Sequence, residues 1–81
     1  MKKTVIVTFK DGVLDPQGKT IQQALLKQGH AAIRRVRQGK YFEIEFEDGV
    51  SAGEIRQALE KISHDVLSNP VIENFRIEEE R

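Results

Sequence analysis

A handful of short stretches in this chain hold residue types that could do chemistry. The first is Gly12-Val13-Leu14-Asp15-Pro16-Gln17-Gly18-Lys19-Thr20, which has the ingredients of a phosphate-binding loop between a strand and a helix. Such a loop needs four residues between its glycines and then Gly-Lys-Ser/Thr, so that successive backbone amides cradle phosphate. Here five residues intervene, Asp15 puts a carboxylate where phosphate would lie, and Pro16 has no amide to offer. A capped turn explains every residue instead, with Asp15 as helix N-cap and Pro16 at the first helical position.

Ser63-His64-Asp65 contains the residue types of a hydrolase triad. Consecutive helical residues point about 100° apart, however, so the three cannot form a relay. They read as a solvated helix face, with His64 favoured near a helix C-terminus by the dipole. His30 follows Gly29 and reads as a loop residue, and no second ligand stands at metal spacing from it. Gly39-Lys40-Tyr41-Phe42-Glu43-Ile44-Glu45-Phe46 faintly echoes the aromatic strand of an RNA-binding module. Its glutamates would repel phosphate, and Phe42 and Phe46 are needed in the core, so nucleic acid is not expected as a partner. The one basic cluster, Arg34, Arg35, Arg37 and Lys40, lies across an expected hairpin from Glu43, Glu45 and Glu47. Cross-strand ion pairing is the plainer account, and a partner-docking strip is the alternative.

The elements that must carry these residues fit one domain of 81 residues. A chain of that size buries only roughly 60 to 65% of the surface its unfolded form exposes, so its core is marginal. There is no cysteine to staple it and no histidine cluster for zinc, which leaves oligomerisation as the reinforcement. Thirteen basic and thirteen acidic side chains cancel, so no overall field draws the chain to nucleic acid or to a membrane. Lys10 ends the first apolar run too early for a signal peptide, and the expected location is cytoplasmic.

Periodicity predicts the order β-α-β-β-α-β. Val5, Val7 and Phe9 alternate as a strand, with Ile6 on its other face. Ile21, Ala24, Leu25 and Gln28 share a helical face that Gly29 terminates. Ile33 and Val36 predict a second strand, bulged at Arg34-Arg35 because an odd spacing cannot point both inward. Gly39-Lys40 is then a hairpin turn, and Phe42, Ile44 and Phe46 alternate with glutamates as a third strand. Ser51 and Glu54 form a capping box opening a second helix, whose stripe is Ile55, Ala58, Leu59, Ile62 and Val66. Asn69-Pro70 ends that helix, through a left-handed cap or a turn hydrogen-bonded by Asn69. Val71, Phe75 and Ile77 form the last strand, with Glu73 interrupting its buried face, before the charged tail Glu78-Glu79-Glu80-Arg81. The fold class is α+β: a two-layer sandwich of one antiparallel sheet with both helices on one face. The other face would expose Ile6 and Ile72 from neighbouring strands, and this face or a sheet edge is expected to be an oligomer interface.

Taken together, Gly12-Val13-Leu14-Asp15-Pro16-Gln17-Gly18, Val36-Arg37-Gln38-Gly39-Lys40 and Asn69-Pro70-Val71-Ile72-Glu73 closely resemble the PurS family. That family is the small subunit of phosphoribosylformylglycinamidine synthase, and the resemblance runs over nearly the whole chain. It implies a PurS-like fold of ferredoxin-like similarity and a place in the fourth step of purine biosynthesis. In that step an amide becomes an amidine, using ATP and ammonia released from glutamine. The resemblance implies that this chain is not catalytic and holds no cofactor, ATP and magnesium belonging to the large synthetase subunit. Its implied partners are that synthetase subunit, the glutaminase subunit, and further copies of itself as a dimer or tetramer. The residues expected at partner or oligomer contacts are Ile6, Asp15, Gln17, Arg34, Arg35, Arg37, Lys40, Asn69, Ile72 and Glu73. The rival reading is a free-standing ligand-sensing module on the same two-layer fold, which binds a small metabolite.

Overall fold

The alternation of Val5 and Val7 builds the central strand of the sheet. The computed structural model describes residues 1–79, and in it β1 runs over Lys2–Phe9, β2 over Lys40–Glu45 and β3 over Glu73–Glu79. The three strands are antiparallel in the order β2-β1-β3. Register sets Val5 opposite both Phe42 and Ile77, and Val7 opposite Phe75, so these side chains share one face. Helix α2, Ala52–Ile62, lays Ile55 and Leu59 on that face, and with Val5 and Val7 they form the fully buried core. Phe42, Ile44, Phe46, Val50, Ile62, Leu67, Phe75 and Ile77 pack around it, half-buried. Ser51 caps α2, its hydroxyl accepting from the Glu54 amide at 3.2 Å.

The α+β class and the antiparallel sheet are as expected, but three local expectations are not met. Residues 33–36 form no strand, so the hairpin at Gly39-Lys40 does not exist and the sheet has three strands. The odd spacing of Ile33 and Val36 gives a strand no consistent inner face, and α1 occupies part of that backbone instead: Gln22 Nε2 donates to the Arg34 carbonyl at 2.7 Å. Helix α1, Pro16–Lys27, contributes nothing to the core cluster. Ile21 and Leu26 of α1 and Leu14 just before it remain exposed. The third difference lies beyond α2, where Ser63–Leu67 is a single π-helical turn. Its wider winding rotates the apolar stripe, turning Val66 out to 73% exposure while burying Ser63 completely.

With α1 off the sheet, the chain is elongated: 52 × 28 × 14 Å, with a radius of gyration of 16.3 Å. A compact chain of this length would have about 12 Å. Residues 16–38 therefore form an arm, α1 running out and a segment without helix or strand returning to β2. The tail residues Glu78 and Glu79 belong to β3, while Glu80 and Arg81 lie outside the described residues.

Candidate functional site

Asp15 does the work expected of it at the N-terminus of α1, and more. Its Oδ1 accepts from the Gly18 amide at 2.9 Å, capping the helix, and its Oδ2 accepts from the Gln38 amide at 2.7 Å. One carboxylate therefore ties the outgoing and returning legs of the arm together. These two amides, Gln38 before Gly18, hold its pKa below the ordinary carboxylate value, since both bind the ionised form. Gln17 adds a side-chain hydrogen bond to Gln38. Gly18 is buried at the same crossing: a Cβ there would collide with the Val36 carbonyl oxygen and sit 2.7 Å from Asp15 Oδ2.

Arg37 fastens the root of this arm to the sheet. Its guanidinium donates to the Phe9 carbonyl and, at 3.2 Å, to Asp11 Oδ1. The cross-strand pairing expected between the basic cluster and the glutamates is absent among the described residues. Arg37 pairs with Asp11, Lys40 lies 3.8 Å from Glu73, and Glu43 pairs with Lys2. Without a second strand there is no hairpin to bring the two groups opposite each other, and Arg34 and Arg35 stand exposed on the arm.

A second cluster forms where β3 begins. Asn69 Oδ1 accepts from the Val71 amide at 3.1 Å, so Asn69 hydrogen-bonds its own turn as one of the two expected ways of ending the helix. The Asn69 amide donates to Glu73 Oε1 at 2.7 Å, and the Glu73 side chain, 9% exposed, also faces Lys40 from across β1. Glu73 lies on the buried face with Phe75 and Ile77, as its spacing from them predicts. Ile72 departs from expectation in that it precedes β3, lying half-buried in a turn where its carbonyl accepts from the Lys10 amide at 2.9 Å. Ile6 does lie on the outer face, half-buried between Tyr41 and Arg76.

The structure thus gathers Asp15, Gln17, Arg37 and the Gln38 amide at the root of the arm, and Lys40, Asn69 and Glu73 at the end of the sheet. Arg34 and Arg35 stand apart on the arm. The Gln22 side chain and the Gln38 backbone amide were missed as anchors of the arm, because hydrogen bonds spanning 12 and 23 positions leave no local pattern. The Ser63-His64-Asp65 stretch forms no relay: His64 Nδ1 meets its neighbour Asp65 at 2.8 Å, and the Ser63 hydroxyl has no partner among the described residues. No group of three His, Cys, Asp or Glu side chains among the described residues could hold a metal ion. No described helix is long and apolar enough to cross a membrane. A groove of about 470 Å³ runs beside α2, over Ile55, Leu59 and Ile77, with Lys3, Arg56 and Glu60 at its rim.

The capped turn, the arm and the Asn69-Pro70 connection lie in a chain whose residues 2–81 match the family model PurS, described as phosphoribosylformylglycinamidine (FGAM) synthase. The chain belongs to the PurS family. Among curated relatives, the phosphoribosylformylglycinamidine synthase subunit PurS of Mycobacterium leprae is 42% identical over 98% of this chain and 95% of its own length. The crystal structure of Methanocaldococcus jannaschii PurS, described as one of the subunits of formylglycinamide ribonucleotide amidotransferase in the purine biosynthetic pathway, superposes with a TM-score of 0.81. It is 35% identical and covers 95% of this chain and 92% of that one. A chain in the structure of PurLQS from Thermotoga maritima gives a TM-score of 0.71 at 25% identity, covering 95% of this chain and 94% of that one. The PurS fold of these relatives is the α+β architecture described above.

Proposed function

We propose that this PurS-family chain is the non-catalytic small subunit of phosphoribosylformylglycinamidine synthase, working in the cytoplasm in purine biosynthesis. It bridges the large synthetase subunit, which binds ATP, magnesium and the nucleotide, and the glutaminase subunit, which releases ammonia. By holding the two in register it lets ammonia pass between them instead of escaping to water. It needs no cofactor of its own for that task, because its contribution is geometric.

The observation that carries this reading is the arm. A chain with four fully buried apolar side chains among its described residues holds a 12-residue helix away from its own core, with Leu14, Ile21 and Leu26 uncovered. A marginal domain that spends apolar residues in this way is built to complete its packing against other chains. Homo-oligomerisation, as a dimer or tetramer, is the first such completion, and the larger subunits are the second. The similarity to a chain of PurLQS supports the same assembly.

Affinity purification of the tagged chain from its own cells tests the assignment. A synthetase and a glutaminase should accompany it, most completely with glutamine and ATP present. Recovery of the chain with neither partner under all these conditions would overturn it.

A further inference from the structure

The formal net charge of zero hides a separation of sign along the fold. Residues 16–38, the whole arm, hold five Lys or Arg and no Asp or Glu, so the arm carries +5 and the rest of the chain −5. The elongation of the molecule turns this separation in sequence into a separation in space. Internal ion pairs consume part of it: Arg37 is held by Asp11, Lys40 by Glu73 and Glu43 by Lys2. Arg34 and Arg35 on the arm, and Glu45, Glu47 and Asp48 at the end of β2, are exposed and in no ion pair among the described residues. Two opposite charge clusters are thus left over on one chain, neither neutralised by the other.

We propose that the Arg34-Arg35 segment of one arm docks on the acidic end of β2, Glu45, Glu47 and Asp48, of a second copy. This rests on the homo-oligomer reading above and adds to it the surface and the chemistry of the contact. A two-fold axis makes such a contact self-complementary: each arm meets the other copy's acidic end, and the pairing occurs twice. Exposed charges of this kind set orientation and the rate of encounter more than affinity, while the uncovered Leu14, Ile21 and Leu26 supply apolar area. The charge pattern also acts against wrong registers, because arm against arm, or β2 end against β2 end, brings like charges together.

Sedimentation equilibrium of the full chain at low and high salt is the test, with the double variants Arg34→Glu/Arg35→Glu and Glu45→Lys/Glu47→Lys. The self-association Kd should rise about tenfold or more between about 50 and about 500 mM NaCl, where screening shortens to a few ångströms. Either double variant alone should associate about 100-fold more weakly than the parent chain. An equimolar mixture of the two variants should recover association as a heterodimer, since each reversed cluster then meets its opposite. All these residues are exposed, and far-UV circular dichroism checks that each variant keeps its fold. If one does not, the neutral pair Arg34→Gln/Arg35→Gln replaces it, with about a tenfold loss expected. A parent dimer indifferent to salt and to both charge reversals, or a mixture that fails to recover, overturns this contact while leaving the homo-oligomer reading standing. A parent chain that stays monomeric at about 10 μM, well above the Kd of a stable dimer, overturns both.

Discussion

The carboxylate of Asp15 accepts a hydrogen bond from the Gln38 amide across 23 positions of sequence, closing the arm at its root while capping α1 from its other oxygen. Both bonds favour the ionised form, so the folded-state pKa lies below that of the unfolded chain. The stability this contributes is therefore fully present above the ordinary aspartate pKa of about 3.9 and is lost as pH falls through the lower folded value. The protection factors of the Gly18 and Gln38 amides, with the intrinsic pH dependence of exchange divided out, should stay constant from neutral pH down to that range and fall below it. In Asp15→Asn, which keeps one acceptor oxygen and no titration, protection of one of the two amides should fall at all pH values and the acid step should vanish.

Gly18 is the position where α1 and the returning segment come closest. Gly18→Ala forces a methyl against the Val36 carbonyl and the Asp15 carboxylate, and overpacking of this kind costs about 1 to 3 kcal/mol. Because α1 shares no core with the sheet, the loss should fall on the arm. Hydrogen exchange should show residues 16–38 loosened while β1 and α2 keep their protection.

Leu59 carries the greatest volume among the fully buried side chains of a very small core. Leu59→Ala should cost about 2 to 5 kcal/mol in urea unfolding. In a chain this marginal the variant should be folded only at concentrations where it self-associates, so its melting temperature should rise with protein concentration.

Ser63 presents the opposite case. Its hydroxyl is fully buried in the π turn with no hydrogen-bond partner among the described residues, a desolvation cost that nothing offsets. Ser63→Ala removes the polar atom and keeps the size close, and should raise stability by about 0.5 to 2 kcal/mol in the same urea titration. A loss of that size would show that the hydroxyl has a partner in the assembled protein.

The same residues show what could be read from the sequence and what could not. The Asp15-Pro16 start of α1, the Ser51 cap of α2 and the turn at Asn69 were legible because each depends on side chains meeting backbone within four residues. The alternation of Phe42 and Ile44 with glutamates placed β2, since a strand with one buried face writes its period directly into the chain. The segment around Ile33 and Val36 was read as a strand because apolar residues near a basic run look the same whether they pair with a sheet or lie along a helix. What decides the matter is Gln22 reaching the Arg34 carbonyl and Gln38 reaching Asp15, contacts over 12 and 23 positions that leave no local pattern. The π turn was hidden for a related reason: a stripe at Ile55, Leu59, Ile62 and Val66 fits a regular helix until one turn widens and Val66 swings outward. Asp15 and Asn69 were read as a helix cap and a turn residue from local pattern, and the structure gives them those roles. Val71 and Ile72 were read into the last strand, but β3 starts at Glu73, two residues after its apolar pattern begins.

The central claim is that this subunit acts by placing its neighbours and not by reacting. Its most direct test compares two activities of the assembled synthase, glutamine-dependent and ammonium-dependent, with and without the small subunit. Omission should abolish most of the glutamine-dependent synthesis while synthesis from high added ammonium largely persists, since only the transfer of ammonia would be lost. Equal loss of both activities would contradict the account and assign this chain a part in the chemical step itself.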